Sequence, residues 1–286
     1  MSTLVLWAGV DTRGISSAYI ATDSRLSDSK KLEKVWDAGQ KAYSSTSAPL
    51  LAGYVGSSFY AAHIVPRLVT YGEAILPEVG DDESFLRALA TYARSALSSA
   101  PPSDDTNFEI TVAYRLTQGF FGFGVVSSAK ADVAYRIVGR PSKSAILHLS
   151  GTGASFVRHK FEEWRKTNAA DTSRAIYSAF CDALLHVNPP NQDLIPGKSK
   201  DPQSEGPPQL VGLYRKPNSP GKYFGTVWRG KVYYAGVETQ RLPINCECRN
   251  DLFERCDPRT KAPFPLAKRH IDEVAQAKRL TKKQKH

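Results

Sequence analysis

At 286 residues, 41% of them apolar, the chain is long enough to bury a large core as one big domain or two small ones. Its net charge of +10 invites a nucleic-acid reading, but twelve Lys or Arg against six Asp or Glu lie from Arg241 to His286, so most of the excess sits in the last segment, a pattern of an ordinary body with a basic extension rather than a basic groove. There is no run of about 18 apolar residues, and MSTLVLWAGVDTRG carries neither a basic leader nor a long apolar stretch, so the expected location is cytoplasmic, with no membrane partner.

The first quarter reads as strands. Thr3 to Val10 and Ser17 to Thr22 are β-branched and aromatic runs separated by the turn former DTRG, and Lys41 to Ser44 and Pro49 to Val55 follow. After Gly56 the spacing becomes helical, with Phe59, Ala62, Ile64, Leu68 and Val69 on one face. A second helical segment, Glu83 to Leu97, gathers Phe85, Leu86, Leu89 and Tyr92. Strands return at Phe108 to Leu116, Phe120 to Ser127, Asp132 to Val138 and Ala145 to Leu149. Two helices follow, Ala154 to Lys166 and Thr172 to His186. A Pro-, Gly- and Ser-rich loop from Asn188 to Pro208 leads to last strands around Leu210 to Tyr214, Tyr223 to Trp228 and Lys231 to Val237.

Two strand groups, each followed by a helix pair, predict an α+β fold: a four-layer α/β/β/α sandwich of two antiparallel sheets between helical layers. The single alternating β and α units of a doubly wound parallel sheet are missing. Residues 2–240 form the expected domain, and residues 241–286 a basic, Cys-containing extension. The four cysteines, at 181, 246, 248 and 256, are too few and too clustered for a secreted disulfide framework and read as reduced thiols.

Four short motifs stand in order. Ser2-Thr3-Leu4-Val5 opens a strand, ATDSRLS places Asp23, Ser24 and Arg25 at the end of the next, GQKAYS puts Lys41 at the start of the third, and LLAGYVGSS places Gly53 twelve residues beyond Lys41. Together with the element order, over about residues 2 to 238, they resemble the N-terminal-nucleophile hydrolases of the proteasome β-subunit type and the peptidase subunit of the bacterial two-component ATP-dependent protease. The resemblance implies a peptidase or amidohydrolase acting on a peptide or amide substrate, with Ser2 as nucleophile once Met1 is removed. It implies Lys41 and Asp23 as its charged partners, the Gly56 N–H as oxyanion donor, and Tyr54 lining the pocket for the side chain before the scissile bond. Leu26 and Ser27 match the segment that pairs with an extended peptide. Ser150 and Gly151, in SGTGAS, match a pair supporting the nucleophile, and Asp182 an accessory carboxylate. The chain departs from the pattern at Leu185, where a serine is common, and in the loop 188–208. Relatives form rings, so a homo-oligomer is implied, and some work with an ATP-dependent unfoldase.

Chemistry supports these residue types. A serine hydroxyl is a weak nucleophile without a base, and a chain-terminal α-amine, with a pKa of about 7.7 to 8, is partly neutral near pH 7 whereas a lysine at about 10.4 is not. Lys41 would favour the developing alkoxide as a fixed charge, with Asp23 neutralising it.

Other readings stay open. Asp23 and Lys41 could be an ordinary cross-strand ion pair, and Gly53 and Gly56 could simply end a strand. SGTGAS also resembles a phosphate-cradling loop, but Phe156 stands where a third glycine would be needed and no Walker lysine follows. Cys246, Cys248 and Cys256 with His270 could hold zinc, although the spacing is irregular. His63, His148, His159 and His186 read as surface or packing residues, and no cofactor and no catalytic metal are expected. The terminal KRLTKKQKH could meet a nucleic acid or an acidic partner. Two further functions therefore stand beside hydrolysis: an inactive assembly subunit of the same fold, or a protein recruited to nucleic acid through its tail.

Overall fold

The computed structural model describes residues 2–27, 35–101, 106–117, 119–130, 132–186, 201 and 203–265. In chain order the elements are β1 (Thr3–Asp11), β2 (Gly14–Thr22), β3 (Leu26–Ser27), β4 (Val35–Trp36), β5 (Ala42–Ser44), β6 (Leu50–Gly56), α1 (Ser58–Ile75), α2 (Asp82–Ser98), β7 (Phe108–Arg115), β8 (Phe121–Ala129), β9 (Asp132–Ile137), β10 (Ala145–Gly151), α3 (Ala154–Trp164), α4 (Ser173–His186), β11 (Gln209–Tyr214), β12 (Lys222–Trp228), β13 (Lys231–Tyr234), β14 (Val237–Glu238), β15 (Cys248–Arg249) and β16 (Arg255–Cys256).

One sheet runs β10-β1-β2-β11-β12-β13-β14, and the other β5-β6-β7-β8-β9; β3 and β4 form a separate hairpin. Pairing is antiparallel except where β15 lies parallel to β12. The fold is therefore α+β, mixing helices with antiparallel sheets.

Period-two alternation decides which way each strand faces. Along β1, Leu4, Leu6 and Ala8 meet Ala18, Ile20, Leu51, Ala113 and Phe123 in the apolar cluster shared by the two sheets. Val5 and Trp7 point the opposite way, into the cluster formed with Ile176, Tyr177 and Phe180 of α4. The second sheet behaves likewise: Leu50, Ala52 and Tyr54 of β6 pack with Ile64 and Leu68 of α1 and Phe85 and Leu89 of α2. Helix α2 begins where Asp81 caps it, its Oδ1 accepting from the Ser84 N–H at 2.7 Å, with Asp82 and Glu83 in the first turn where the helix dipole favours negative charge.

Residues 241–265 do not stand apart from this packing. β15 adds to β12 and pairs with β16, and the loop between them inserts Phe253, fully buried, with ring centroids 5.1 Å from Tyr19, 5.3 Å from Tyr177 and 5.9 Å from Trp7. Two-residue strands carry no readable periodicity, and the anchor is one aromatic ring, so composition alone sets this segment apart when its packing does not. His270, the helical pattern from Ile271 to Leu280 and the terminal KRLTKKQKH lie outside the described residues.

Candidate active site

Ser2 lies at the entry to β1, where Thr3 pairs with Gly151 of β10. That approach is close: a Cβ on Gly151 would lie 1.8 Å from the Ser2 carbonyl oxygen, and Gly151 has φ +90°, so glycine is required on both counts. One strand over, β2 delivers Asp23 just past its last residue, and Lys41 immediately precedes β5 in the facing sheet.

These three side chains meet. Lys41 Nζ donates to Ser2 Oγ at 2.7 Å and to Asp23 Oδ2 at 2.9 Å. Ser2 is 2% exposed, and Asp23 and Lys41 are fully buried. Asp23 is held by backbone donors as well: the Thr3 N–H bonds Oδ1 at 2.8 Å, and the N–H groups of Arg25 and Glu205 bond Oδ2 at 3.2 and 3.3 Å. Burial pushes the Lys41 ammonium below its ordinary 10.5, with the Asp23 charge opposing it; burial likewise pushes Asp23 up, against Lys41 and the backbone donors. A buried ammonium with one carboxylate partner and one hydroxyl acceptor can hold a proton beside the Ser2 oxygen or stabilise negative charge on it.

A shell of contacts fixes this geometry. Gln209, at the start of β11, accepts through Oε1 from the Lys41 and Ala42 N–H groups at 2.9 and 3.1 Å, while its Nε2 donates to the Gly39 carbonyl at 2.6 Å. The Tyr54 N–H bonds the Lys41 carbonyl at 3.1 Å. Arg25 pairs with Asp37 at 2.6 Å and Glu205 at 2.7 Å, and the Glu205 carbonyl accepts from Ser24 and Arg25 N–H. Ser204 is fully buried with its hydroxyl 3.3 Å from Thr152 Oγ1, and Asp201 Oδ2 is buried without a hydrogen-bond partner. Sequence reasoning passes over Gln209, Glu205, Ser204 and Asp201 because a Pro-, Gly- and Ser-rich segment shows no period; only chain closure reveals that it returns to Asp23.

The other sequence-derived positions fall as follows. Gly56 ends β6 at φ +101°, where a Cβ would meet the Asn107 carbonyl oxygen at 2.5 Å; it sits three residues, about 10 Å, beyond Gly53, which pairs with Ala42. Tyr54 is buried in the α1 and α2 cluster with its hydroxyl 3.4 Å from the Gln40 carbonyl, and burial pushes its phenol up. Leu26 and Ser27 pair with Trp36 and Val35 in the small hairpin. Ser150 pairs with Leu4 and neighbours Glu109, whose carboxylate meets His148 Nε2 at 2.6 Å. Asp182 lies on α4 and accepts from the Trp164 indole N–H at 2.7 Å, tying α4 to the end of α3. Leu185, three residues on, is 37% exposed. Among the described residues no group of three His, Cys, Asp or Glu is placed to hold a metal ion.

The chain matches no protein-family model and none of the curated proteins. Among solved structures it is similar to the Anbu complex from Pseudomonas aeruginosa, described as a helical assembly: 10% identity over 77% of this chain and 86% of that one, with a TM-score of 0.50. It is also similar to Anbu, the ancestral β-subunit, from Yersinia bercovieri, at 10% identity over 78% and 86% of the two chains with a TM-score of 0.51. At this identity the likeness shows the fold alone, and that fold is proteasome-like.

Proposed function

We propose that this chain is an N-terminal-nucleophile hydrolase that cleaves amide bonds, built as a four-layer α/β/β/α sandwich. The observation that carries the reading is the buried contact of Lys41 Nζ with both Ser2 Oγ and Asp23. Burying a charged pair costs desolvation free energy, and an apolar pair of similar volume often stabilises a fold as well or better. A lysine aimed at a hydroxyl, in a site of 2% exposure or less, is therefore better explained by chemistry than by stability.

The reaction needs the peptide bond between Met1 and Ser2 to be cut, because an amide nitrogen is no base and an α-amine is. The freed amine takes the proton of Ser2 Oγ as the oxygen attacks the substrate's carbonyl carbon. Lys41, kept charged by Asp23, stabilises the alkoxide as it develops. Collapse of the tetrahedral species breaks the C–N bond, the leaving amine takes the proton from the α-ammonium, and an ester on Ser2 remains. Water then attacks the ester, giving one proton to the same amine; the acyl C–Oγ bond breaks, Ser2 Oγ takes that proton back from the α-ammonium, and the carboxylic acid leaves. The relatives' assembly supports self-association of this chain as well.

The test is hydrolysis of fluorogenic peptide amides by the purified protein, with its N-terminus sequenced in parallel. Turnover by protein beginning at Ser2, and its loss in Ser2→Ala, is expected. Equal turnover by Ser2→Ala, or by protein that keeps Met1, refutes the reading.

A further inference from the structure

The second concentration of nucleophilic side chains lies far from Ser2 in sequence, on the β15–β16 pair. Cys248 and Cys256 are directly opposed partners in the antiparallel β15–β16 pair, so both side chains leave the ribbon on the same face. Opposed residues in such a pair have Cα atoms about 4.5 to 5.5 Å apart, inside the range of roughly 4.4 to 6.8 Å that a disulfide spans. Both thiols are buried, at 3% and 1% exposure, and they share an apolar cluster with Val232. Cys246 is turned elsewhere, its sulfur 3.6 Å from the Tyr223 carbonyl oxygen, and Cys181 lies in the helix α4. All four are free thiols.

We propose that Cys248 and Cys256 form an oxidation-sensitive clasp, closed into a disulfide by a small hydroperoxide, that locks the 248–256 loop and its Phe253 anchor onto the sheet. The steps balance. The Cys256 thiolate attacks the O–O bond of hydrogen peroxide, giving a sulfenic acid and hydroxide, which takes up the thiol's proton as water. The Cys248 sulfur then displaces the sulfenic hydroxyl, which leaves as a second water with the Cys248 proton. Two thiols are oxidised by two electrons and one peroxide is reduced to two waters. Cys256 suits the attacking role, since its Cys248 neighbour, helped by the nearby Arg249 charge, lowers its thiol against the pull of burial, while Cys248 is pushed up. A peroxide is small enough to reach thiols that a bulky disulfide reagent would meet only after the loop opens.

The loop so closed is short and already ordered. Asn250 Oδ1 accepts from the N–H groups of Leu252 and Glu254 at 3.1 and 2.8 Å, and the Asn250 N–H bonds the Glu254 carbonyl at 3.1 Å. Joining its ends restrains the unfolded chain more than it changes the folded one, so oxidation should raise stability.

The full-length reduced protein treated with a few equivalents of hydrogen peroxide tests this. The expected result is an intact mass lower by about 2 Da, a proteolytic peptide linking Cys248 to Cys256, and a Tm raised by roughly 5 °C, all reversed by dithiothreitol. In Cys248→Ser the sulfenic acid should persist on Cys256, trapped by dimedone. Sulfinic acid without cross-link, a bridge that includes Cys246 or Cys181, or no oxidation at all would overturn the clasp. The wild-type mass and peptide map separate these outcomes whether or not the serine variant folds.

Discussion

Ser2 and the 248–256 loop dock on the same sheet by opposite means. At β1 the sheet receives Ser2 beside Asp23 and Lys41, a buried ion pair met by backbone N–H groups. At β12 it receives the 248–256 loop through an apolar wedge, Phe253 among Trp7, Tyr19 and Tyr177. Phe253 holds a left-handed backbone at φ +61°, a conformation unfavourable for a bulky residue, which the buried ring offsets. Burial of similar depth thus serves different ends: the wedge stabilises, whereas the ion pair costs desolvation free energy and holds the Ser2 hydroxyl in place.

Emptying each site in turn separates the two roles. Phe253→Ala should cost about 3 to 5 kcal/mol of stability, read from urea unfolding, while the folded fraction keeps its reactivity at Ser2. Loss of less than about 1 kcal/mol would mean that the extension is an appendage after all. Lys41→Ala should do the reverse, lowering amide turnover by about 10²- to 10³-fold with a smaller effect on stability, since an unpaired Asp23 can protonate. A variant that unfolds but stays active per folded molecule would make Lys41 a packing residue.

Gly151→Ala sits between the two. Its Cβ would collide with the Ser2 carbonyl in a left-handed backbone, so a loss of about 1 to 3 kcal/mol together with reduced turnover is expected, measured by thermal melts and steady-state kinetics. The pH profile gives a finer test. Burial lowers Lys41 from 10.5, so it loses its proton at a lower pH than a free lysine, and a reaction that needs the ammonium should fall off on the alkaline side before pH 10.5. A rate flat through that range would show that the Lys41 charge is not used. The smallest effect belongs to a surface control: Lys231→Ala removes an exposed ion pair to Glu238 and should leave the urea midpoint unchanged within error.

Much of the fold can be read from periodicity. The strand runs at Thr3, Pro49 and Phe108 and the helical faces after Gly56 and Glu83 fall within a few residues of β1, β6, β7, α1 and α2. The contact of Lys41 with Ser2 and Asp23 is expected only through the family resemblance that their short motifs carry, since nothing local in the three strand ends says that they meet. What does not show is long-range closure. Gln209 clamps Lys41 across 168 residues and Glu205 reaches Asp23 across 182, and no local pattern encodes either contact. Asp182 shows the converse: a carboxylate on a well-predicted helix whose partner, Trp164, depends on how α3 and α4 pack.

Covalent labelling probes the nucleophile itself without assuming a substrate. Full-length protein is incubated with a serine-reactive β-lactone, and the adduct is located by intact mass and peptide mapping. One adduct is expected, on Ser2 of chains that begin at Ser2, greatly slowed in Lys41→Ala. Labelling confined to other serines, or unchanged labelling of chains that keep Met1, would contradict the assignment of Ser2 as nucleophile.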